Sequence, residues 1–398
     1  MTESLRVAFL SSDHPSVAAR GLAHTISRLG RCMVRDGHEV DVYYPVPGTW
    51  LPPVDELEGV RAIPVGWTNR AHIPFGPDLA FSRHVARGLP GDRDVVVAHN
   101  ETGGAPLMRR VRRARHGRSS RGPIAVQTFH GVALRFLEVG RSRRPRGIRP
   151  QLGYYPDWLA LRTLEGGAAR AADGCIACSK AVAAEVRSLY EVPAERVHVI
   201  YNGVEPQPAP TLEERAAARR SIGLEDGTTA LAFVGEDTYR KGLDVAVRTV
   251  ELLRSRGRRA TLVNLGNGLP SSDFVQSFGV VDDTVKRRLL VASDLFFLPT
   301  RYEGLPAVVQ EAAALRLPVV TTPAANVEWG EPGRDFVLFE PNTPEAAVEA
   351  LLPLLDSEDS RRALGERGFH ELGSRGYEEQ AREYLDLFRD LISRATTE

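Results

Sequence analysis

The sequence predicts an α/β fold with two doubly wound parallel sheets that face a central cleft. Short apolar runs alternate with segments of helical periodicity along the chain, which is the pattern of repeated βαβ units with buried parallel strands. The chain has 398 residues, more than a single hydrophobic core usually spans, so two domains are expected. A segment dense in proline and turn residues, 202–210, indicates the linker between them.

The first domain is expected over 1–203. Arg6–Leu10 is a short apolar run typical of a buried strand, and a helix predicted over 17–35 follows it. Gly37 ends that helix, and 38–44 is the next predicted strand. The apolar positions of the helix recur at spacings of four, three and four: Leu22, Ile26, Leu29 and Met33. Further strands of this domain are predicted at 94–98, 124–129, 174–178 and 198–200.

The second domain is expected over 204–375, with a C-terminal helix in 376–398 that packs back on the first domain. The alternation restarts after the linker, and the tail from about residue 344 is mostly helical in pattern. Strands are predicted at 229–234, 260–265, 294–298 and 317–321. Ligands of doubly wound sheets bind outside the carboxyl ends of the strands, so functional residues are expected in the loops there.

Composition excludes several classes of protein. Lys and Arg total 51, Asp and Glu total 51, and the net charge is zero, which argues against a dedicated nucleic-acid binder. No run of 18 apolar residues and no signal-peptide pattern occurs, so we expect a cytoplasmic protein without a spanning helix. Three cysteines are too few for a disulfide framework.

The charge is unevenly distributed. Residues 1–203 carry 28 Lys and Arg against 19 Asp and Glu, and between Arg109 and Arg149 there are 13 arginines and one acid, Glu138. Three interpretations stay open for this basic stretch: a solvated surface, a site for an anionic acceptor, or peripheral docking to an anionic membrane.

Several common motifs are missing or misplaced. No G-x-G-x-x-G follows the first strand and no G-x-x-x-x-G-K-[ST] occurs, which disfavours a nicotinamide dehydrogenase and a P-loop phosphotransferase. Asp92-Arg-Asp94 has the D-x-D form of metal-dependent sugar transferases but precedes a strand, so Asp94 is interpreted as a strand-entry residue and no metal site is predicted. Cys175 and Cys178 would point to opposite faces of a strand and are interpreted as buried apolar residues.

The most informative segment is 299–311. It follows a predicted strand, contains the turn Glu303-Gly304, and continues into a helix with Pro306 in its first turn. Backbone N–H groups around Gly304 and Leu305 could hold a phosphate. Glu303 lies beside that anion site, and Glu311, about two helical turns further on, could accept hydrogen bonds from sugar or ribose hydroxyls.

Here the sequence resembles family 4 of the glycosyltransferases, which are retaining, nucleotide-sugar-dependent enzymes of the GT-B fold with two Rossmann-like domains. Gly21, sixteen residues before Gly37-His-Glu-Val40, resembles the second glycine of the family's Gly-Gly loop, with Arg20 in place of the first. Thr128-Phe-His-Gly131 resembles the segment whose histidine lies beside the donor sugar, and Asn202-Gly-Val204 the hinge between domains. Phe233–Gly242 resembles the phosphate clamp, with Glu236 where an arginine is usual.

The resemblance implies that the first domain binds the acceptor and the second domain binds the nucleotide-sugar donor. It also implies a role for individual residues. Glu303 would bind donor-sugar hydroxyls and Glu311 the ribose, while Lys241 and Arg240 would bind the diphosphate. The remaining donor contacts that the resemblance implies come from Gly21, Gly304 and Leu305 near the phosphates, Gly279 and Val280 at the base, and His130 in the catalytic site beside the sugar. His99, Asn100 and Glu101 end a strand at the cleft and are candidates for acceptor contact.

The expected activity is the transfer of a hexose-type sugar from a UDP- or GDP-sugar to an acceptor, with retention, by a metal-independent front-face mechanism. The acceptor is expected to be a small natural product, a glycolipid or a polysaccharide precursor, and no cofactor is expected beyond the nucleotide-sugar co-substrate. Two alternatives stay open. One is a hydrolysing nucleotide-sugar 2-epimerase. The other is a catalytically inactive nucleotide-sugar-binding partner subunit, which the departures at Arg20 and Glu236 keep open.

Overall fold

The chain divides into two units that are described in turn. Unit 1 comprises Met1–Gly203 and Tyr377–Glu398, and unit 2 comprises Val204–Gly376. The segment 200–211 contains no helix or strand. The acceptor and donor roles expected for the two domains stay predictions. This computed structural model describes residues 3–16, 21–48, 51–67, 76–89, 91–99, 104–117, 122–142, 154–236, 238–266, 269–373 and 375–397.

Unit 1 is built on a mostly parallel sheet. Its strands are β1 (Arg6–Leu10), β2 (Glu39–Pro47), β3 (Asp55–Leu57), β4 (Val60–Trp67), β5 (Val95–His99), β6 (Ile124–Phe129), β7 (Gly174–Ala177) and β8 (Val197–Val199). Within the described residues they lie in the order β3-β4-β2-β1-β5-β6-β7-β8, and β3 is antiparallel to β4. The chain leaves β1 towards β2 and later returns to β5 on the other side. The carboxyl ends of β1 and β5 therefore mark the switch point of this sheet.

The helices of unit 1 cover its sheet. They are α1 (Gly21–Arg35), α2 (Gly76–Gly88), α3 (Gly104–Gly117), α4 (Ala133–Ser142), α5 (Tyr154–Ala171) and α6 (Lys180–Tyr190). Three positions of the predicted apolar stripe of α1, Ile26, Leu29 and Met33, are buried at 0% exposure, and the Leu22 side chain lies outside the described part of the chain. Each such side chain contributes about 1.5–3 kcal/mol when it is withdrawn from water. Residues 17–20 of the predicted helix lie outside the described part of the chain.

Unit 2 repeats the architecture with a parallel sheet. Its strands are β9 (Thr229–Val234), β10 (Ala260–Leu265), β11 (Val275–Ser277), β12 (Leu295–Leu298), β13 (Val319–Thr321) and β14 (Val337–Leu338). The order among the described residues is β11-β10-β9-β12-β13-β14. Because the chain moves from β9 through β10 to β11 and then returns to β12 on the other side of β9, the switch point lies at the carboxyl ends of β9 and β12.

The helices of unit 2 begin with defined caps. They are α7 (Leu212–Ser221), α8 (Leu243–Ser255), α9 (Asp283–Ala292), α10 (Ala307–Ala314), α11 (Pro344–Leu355) and α12 (Glu358–Leu372). The Asp282 side chain accepts from the Val285 N–H group at the start of α9, which stabilises a helix end by about 1 kcal/mol. Helix α10 begins at Ala307 with Pro306 as its N-cap, one residue later than a proline in the first turn would give.

The last helix, α13 (Tyr377–Thr397), belongs to unit 1. Its apolar face buries Tyr384 and Phe388 against the core that also holds the stripe of α1. Gln380 Oε1 accepts a hydrogen bond from the Gly203 N–H group at 3.0 Å. Gly203 is the last residue of the first part of unit 1, so this bond joins that part to α13.

Each helix in the described part of the chain is too short or too polar to span a lipid bilayer.

Candidate active site

Three charged side chains meet at the switch point of unit 2. Arg240 and Lys241 follow β9, and Glu303 follows β12. Arg240 Nη1 lies 2.6 Å and Lys241 Nζ 2.9 Å from the same oxygen, Glu303 Oε1. The side chains are 16%, 13% and 11% exposed, respectively. We call this group the Arg240–Lys241–Glu303 cluster; two cations and one carboxylate leave it with one net positive charge.

Opposite charges in close contact hold the cluster together. Burial is the largest influence on Glu303 and would raise its pKa, yet Lys241 and Arg240 together outweigh it and lower the pKa below the ordinary value. Glu303 is therefore ionised at neutral pH, and an ionised carboxylate accepts hydrogen bonds, which suits the O–H donors of a sugar.

The loops after β9 and β12 fix the position of Arg240. Its carbonyl oxygen accepts from the Arg301 N–H group at 2.7 Å and from Thr300 Oγ1 at 3.0 Å. Arg240 Nη1 also donates to the Tyr302 carbonyl at 3.0 Å. The guanidinium is thus bound to the backbone of the same loop that carries Glu303.

Glu303 is held through its backbone. Its N–H group donates to the Ala324 carbonyl at 2.9 Å, and its own carbonyl accepts from Asn326 Nδ2 at 2.6 Å. Ala324 lies in the short 3₁₀ helix Pro323–Ala325 that follows β13. These bonds fix the backbone of Glu303 independently of its ion pairs.

Two glycines make room for the cluster. A Cβ atom on Gly235, directly after β9, would lie 2.0 Å from Lys241 Cδ. Gly242 has φ +79°, and a Cβ there would lie 1.8 Å from the Pro299 carbonyl oxygen, so only glycine suits this close approach of the two loops. The role of Gly235 was missed from the sequence, although a glycine directly after a predicted central strand is a usable signal.

Glu311, predicted to bind ribose, also pairs with a lysine. Lys286 Nζ on α9 donates to Glu311 Oε1 on α10 at 3.1 Å and lies 2.9 Å from Oε2. Residues 204–398 contain two lysines, Lys241 and Lys286. One contacts Glu303 and the other contacts Glu311, a pairing that the sequence did not indicate.

The other donor contacts predicted in unit 2 lie in loops at the same end of its strands. Gly304 and Leu305 form the turn between β12 and α10, and Leu305 is buried. Gly279 adopts φ +67° after β11, and Val280 beside it is 46% exposed. Their contacts with phosphate and base stay predictions.

At the usual arginine position of the clamp, Glu236 is exposed. Position 236 therefore supplies no cation, and Arg240 lies against Glu303 beside Lys241 instead.

In unit 1, two histidines form a pair near the switch point. His99 ends β5 and His130 follows β6, and their rings stack with centroids 5.4 Å apart. His99 Nδ1 lies 3.1 Å from His130 Nε2. Burial lowers the pKa of His130 to about 4, against the opposing influence of a hydrogen bond with Asn202, and burial with the neighbouring His130 lowers the pKa of His99 well below its ordinary value. Both rings are neutral at neutral pH.

The burial of His99 alters its expected role. Its exposure is 0%, so a direct acceptor contact does not fit; it lies against His130 instead. Asn100 and Glu101, the other two candidates for acceptor contact, lie outside the described residues, as does Arg20. Gly21 is the first residue of α1, and its contact with the donor stays a prediction.

The two motifs interpreted as structural have structural partners. Asp94 Oδ2 accepts from the Arg6 N–H group at 2.7 Å, and Asp92 pairs with the Arg6 guanidinium at 3.0 Å, at the amino ends of the strands. Cys175 and Cys178 are buried and form no disulfide. These contacts confirm the strand-entry and buried-residue interpretations.

The basic stretch is only partly described. On α3, Arg109, Arg110, Arg112 and Arg113 are exposed, which is compatible with all three interpretations of this stretch. Residues 118–121 and 143–153 lie outside the described part of the chain.

Comparisons with known proteins cover both units. The model of Glycosyltransferase Family 4 matches residues 19–208, and that of Glycosyl transferases group 1 matches residues 228–357. A D-inositol 3-phosphate glycosyltransferase of Actinosynnema mirum is 30% identical over 327 residues, which cover 78% of this chain and 72% of the relative.

Two solved structures resemble the fold over nearly its whole length. The sucrose-phosphate synthase of Thermosynechococcus elongatus has a TM-score of 0.79 at 18% identity, covering 98% of this chain and 100% of that one. HepE of Anabaena in complex with UDP and glucose has a TM-score of 0.71 at 15% identity, covering 97% and 100%. With these matches the predicted family and fold are confirmed: the chain belongs to family 4 of the glycosyltransferases and is a glycosyltransferase of the GT-B fold.

Proposed function

We propose that this enzyme transfers a hexose-type sugar from a UDP- or GDP-linked donor with retention of the anomeric configuration and without a metal ion. The observation that carries the proposal is the Arg240–Lys241–Glu303 cluster at the switch point of unit 2. Ligands of doubly wound sheets bind at this place. Two cations around one ionised carboxylate suit a ligand that joins a diphosphate to a polyhydroxyl ring.

The cations act where charge develops. Breaking the bond between the anomeric carbon and the phosphate oxygen leaves its electron pair on the diphosphate, so negative charge grows there in the transition state. Fixed cations in a site shielded from water stabilise that charge without reorganising. Lys241 and Arg240 are held by Glu303 and by the backbone of the β12 loop before the reaction begins.

Retention follows if the acceptor attacks from the face that the diphosphate leaves. The acceptor oxygen forms the new bond to the anomeric carbon, and its proton passes to the departing phosphate oxygen. This scheme needs no carboxylate as a covalent nucleophile. Glu303 then serves as a hydrogen-bond acceptor for donor hydroxyls, and neutral His130 as an uncharged hydrogen-bonding group beside the sugar.

Metal independence is proposed from the charges of the chain itself. In D-x-D transferases a divalent cation neutralises the leaving diphosphate; here two protein cations lie at the proposed position. Asp92 and Asp94 of the D-x-D sequence bind Arg6 at the amino ends of β1 and β5 in unit 1.

The donor base and the acceptor are proposed as classes. The Anabaena HepE structure holds UDP and glucose, which favours testing UDP-sugars first and GDP-sugars second. The proposed acceptors are a small natural product, a glycolipid or a polysaccharide precursor. Peripheral association with an anionic membrane stays a proposal that rests on the exposed arginines of α3.

A thermal-shift screen against nucleoside diphosphates and their sugars would identify the donor, because a ligand that binds the folded protein raises the melting temperature, and at equal concentration a tighter ligand raises it further. Transfer by wild type and by Lys241→Ala, Glu303→Ala and Glu311→Ala would then be measured with EDTA present, and the product anomer read by NMR. Arg248→Ala, an exposed cation on α8 paired with Glu251, is the matched control.

We expect a product with the anomeric configuration of the donor and undiminished transfer by wild type in EDTA. Transfer should fall severely in the three site variants and stay at the wild-type rate in Arg248→Ala. Wild-type turnover in all three variants, an inverted product, or a strict metal requirement would contradict it. Conversion of donor without acceptor would instead indicate the epimerase, and donor binding without turnover across many acceptors the inactive subunit.

A further inference from the structure

Lys286 occupies a position that joins two helices at the proposed ribose carboxylate. It lies on α9, and its Nζ contacts both oxygens of Glu311 on α10, at 3.1 and 2.9 Å. The same ammonium lies 3.0 Å from Asp283 Oδ1 on its own helix. The Lys286 side chain is only 20% exposed, so little water competes for these contacts.

The contacts restrict how Glu311 can turn. An ionised carboxylate has about four lone-pair sites on two oxygens. One ammonium near both oxygens uses part of that capacity and leaves the rest for other donors. It also fixes the plane of the carboxyl group, which would otherwise rotate freely at the end of a flexible side chain.

Lys286 stays charged while it does this. Burial is the largest influence and would lower its pKa, but the carboxylates of Glu311 and Asp283 outweigh burial and raise the pKa above its ordinary value. The hydrogen bond from Lys286 Nζ to Glu311 Oε1 is therefore charge-assisted at physiological pH.

We propose that Lys286 is a positioning residue that orients Glu311 towards the ribose hydroxyls of the donor, and thereby sets the preference of this enzyme for ribose over deoxyribose nucleotides. The inference rests on the proposed function, since it takes Glu311 as the ribose ligand. The competing interpretation is a simple tie between α9 and α10, which would affect all nucleotides equally.

The test is a titration by calorimetry. Of UDP, GDP and ADP, the nucleotide that binds wild type most tightly is used together with its 2′-deoxy and 3′-deoxy forms. The variants are Lys286→Met, Lys286→Arg, Glu311→Gln and Asp283→Asn. The last breaks the other contact of the same ammonium without touching Glu311, and it is the matched control.

Wild type is expected to prefer the ribonucleotide over at least one deoxy form by about tenfold, because a charge-assisted hydrogen bond is lost with the hydroxyl. Lys286→Met and Glu311→Gln should reduce this preference to about threefold or less, while Asp283→Asn should stay within about twofold of wild type. Lys286→Arg keeps the charge and should recover most of the preference.

The outcomes separate the two proposals. If Glu311→Gln loses the preference but Lys286→Met retains it, or weakens all three nucleotides equally, the inference about Lys286 is overturned and the donor site stands. If Glu311→Gln retains the full preference, Glu311 is not the ribose ligand and the inference falls with that assignment. Binding of none of the three diphosphates to wild type overturns the proposed function itself.

Folding is checked by circular dichroism in every variant. Lys286→Gln replaces Lys286→Met if the latter does not fold, and failure of both to fold would assign Lys286 to stability and overturn the inference.

Discussion

Glu303→Gln should change stability and nucleotide affinity in opposite directions. The substitution keeps the shape of the side chain and the backbone bonds to Ala324 and Asn326, but removes the charge that Arg240 and Lys241 share. Breaking a nearly buried ion pair by removing one partner costs about 3–5 kcal/mol, and glutamine still offers an oxygen, so we expect a loss of about 3 kcal/mol. For a domain of this size that lowers the melting temperature by roughly 6–12 °C.

The two cations then lack a counter-ion, which a diphosphate can supply. Nucleoside diphosphate should bind Glu303→Gln about tenfold more tightly than wild type, since no carboxylate competes for the cations. Sugar transfer should nevertheless fall about 10- to 100-fold, because the charged acceptor for donor hydroxyls is gone. At the same concentration, diphosphate should also raise the melting temperature of Glu303→Gln by more than it raises that of wild type.

Differential scanning fluorimetry and calorimetric titration measure both effects. Glu251→Gln on α8, where the glutamate pairs with Arg248 at the surface, is the control and should change neither. A Glu303→Gln variant with wild-type stability and weaker diphosphate binding would refute the reasoning.

The pH dependence of this difference has a defined sign. The pKa of Glu303 is lowered from 4.5 in the folded state, so its contribution is complete above about pH 4.5 and is lost as the pH falls through the lower folded value. The stability gap between wild type and Glu303→Gln should therefore be constant from pH 6 to 8 and narrow in acid.

Three further predictions concern other parts of the structure. Gly235→Ala should displace the Lys241 side chain, whose Cδ would lie 2.0 Å from the new Cβ; titration should then show weaker diphosphate binding with the fold retained, and unchanged affinity would contradict this. Glu165 is fully buried beside the Tyr190 hydroxyl, and burial raises its pKa to about 8. Wild type should therefore lose stability from about pH 4.5 to 8, as the unfolded chain releases a proton that the folded chain keeps. Urea denaturation of Glu165→Gln should show no such loss of unfolding free energy with pH. If wild type and Glu165→Gln depend on pH in the same way, Glu165 does not have the raised pKa. The pKa of the His130 ring should lie near 4 by NMR titration, and titration near its ordinary 6.5 would contradict the lowering by desolvation.

Central strands were the easiest elements to predict. β1, β6, β9 and β10 have the predicted bounds because a parallel strand buried on both faces is a near-continuous apolar run. Strands towards the sheet edges were missed for physical reasons. β3 (Asp55–Leu57) has two carboxylates in three residues, β4 (Val60–Trp67) contains a proline and a glycine, and β14 is two residues long.

The candidate site was indicated only in outline. Lys241, Glu303 and Glu311 could be named because their positions relative to strand ends follow from local sequence. The partners could not: Lys286 is 25 residues from Glu311, and His99 is 31 residues from His130. Which side chain completes an ion pair or a ring stack depends on tertiary packing, and the same packing turned His99 from an expected acceptor contact into a buried neighbour of His130.

The contribution of the donor's β-phosphate to affinity tests the Arg240–Lys241–Glu303 cluster most directly. The ratio of the dissociation constants of a nucleoside monophosphate and its diphosphate would be measured for wild type, Lys241→Met and the control Arg248→Ala. Wild type and the control should bind the diphosphate about 100-fold more tightly than the monophosphate, and Lys241→Met less than about tenfold. A Lys241→Met variant that keeps the wild-type ratio would contradict the assignment of this cluster to the diphosphate.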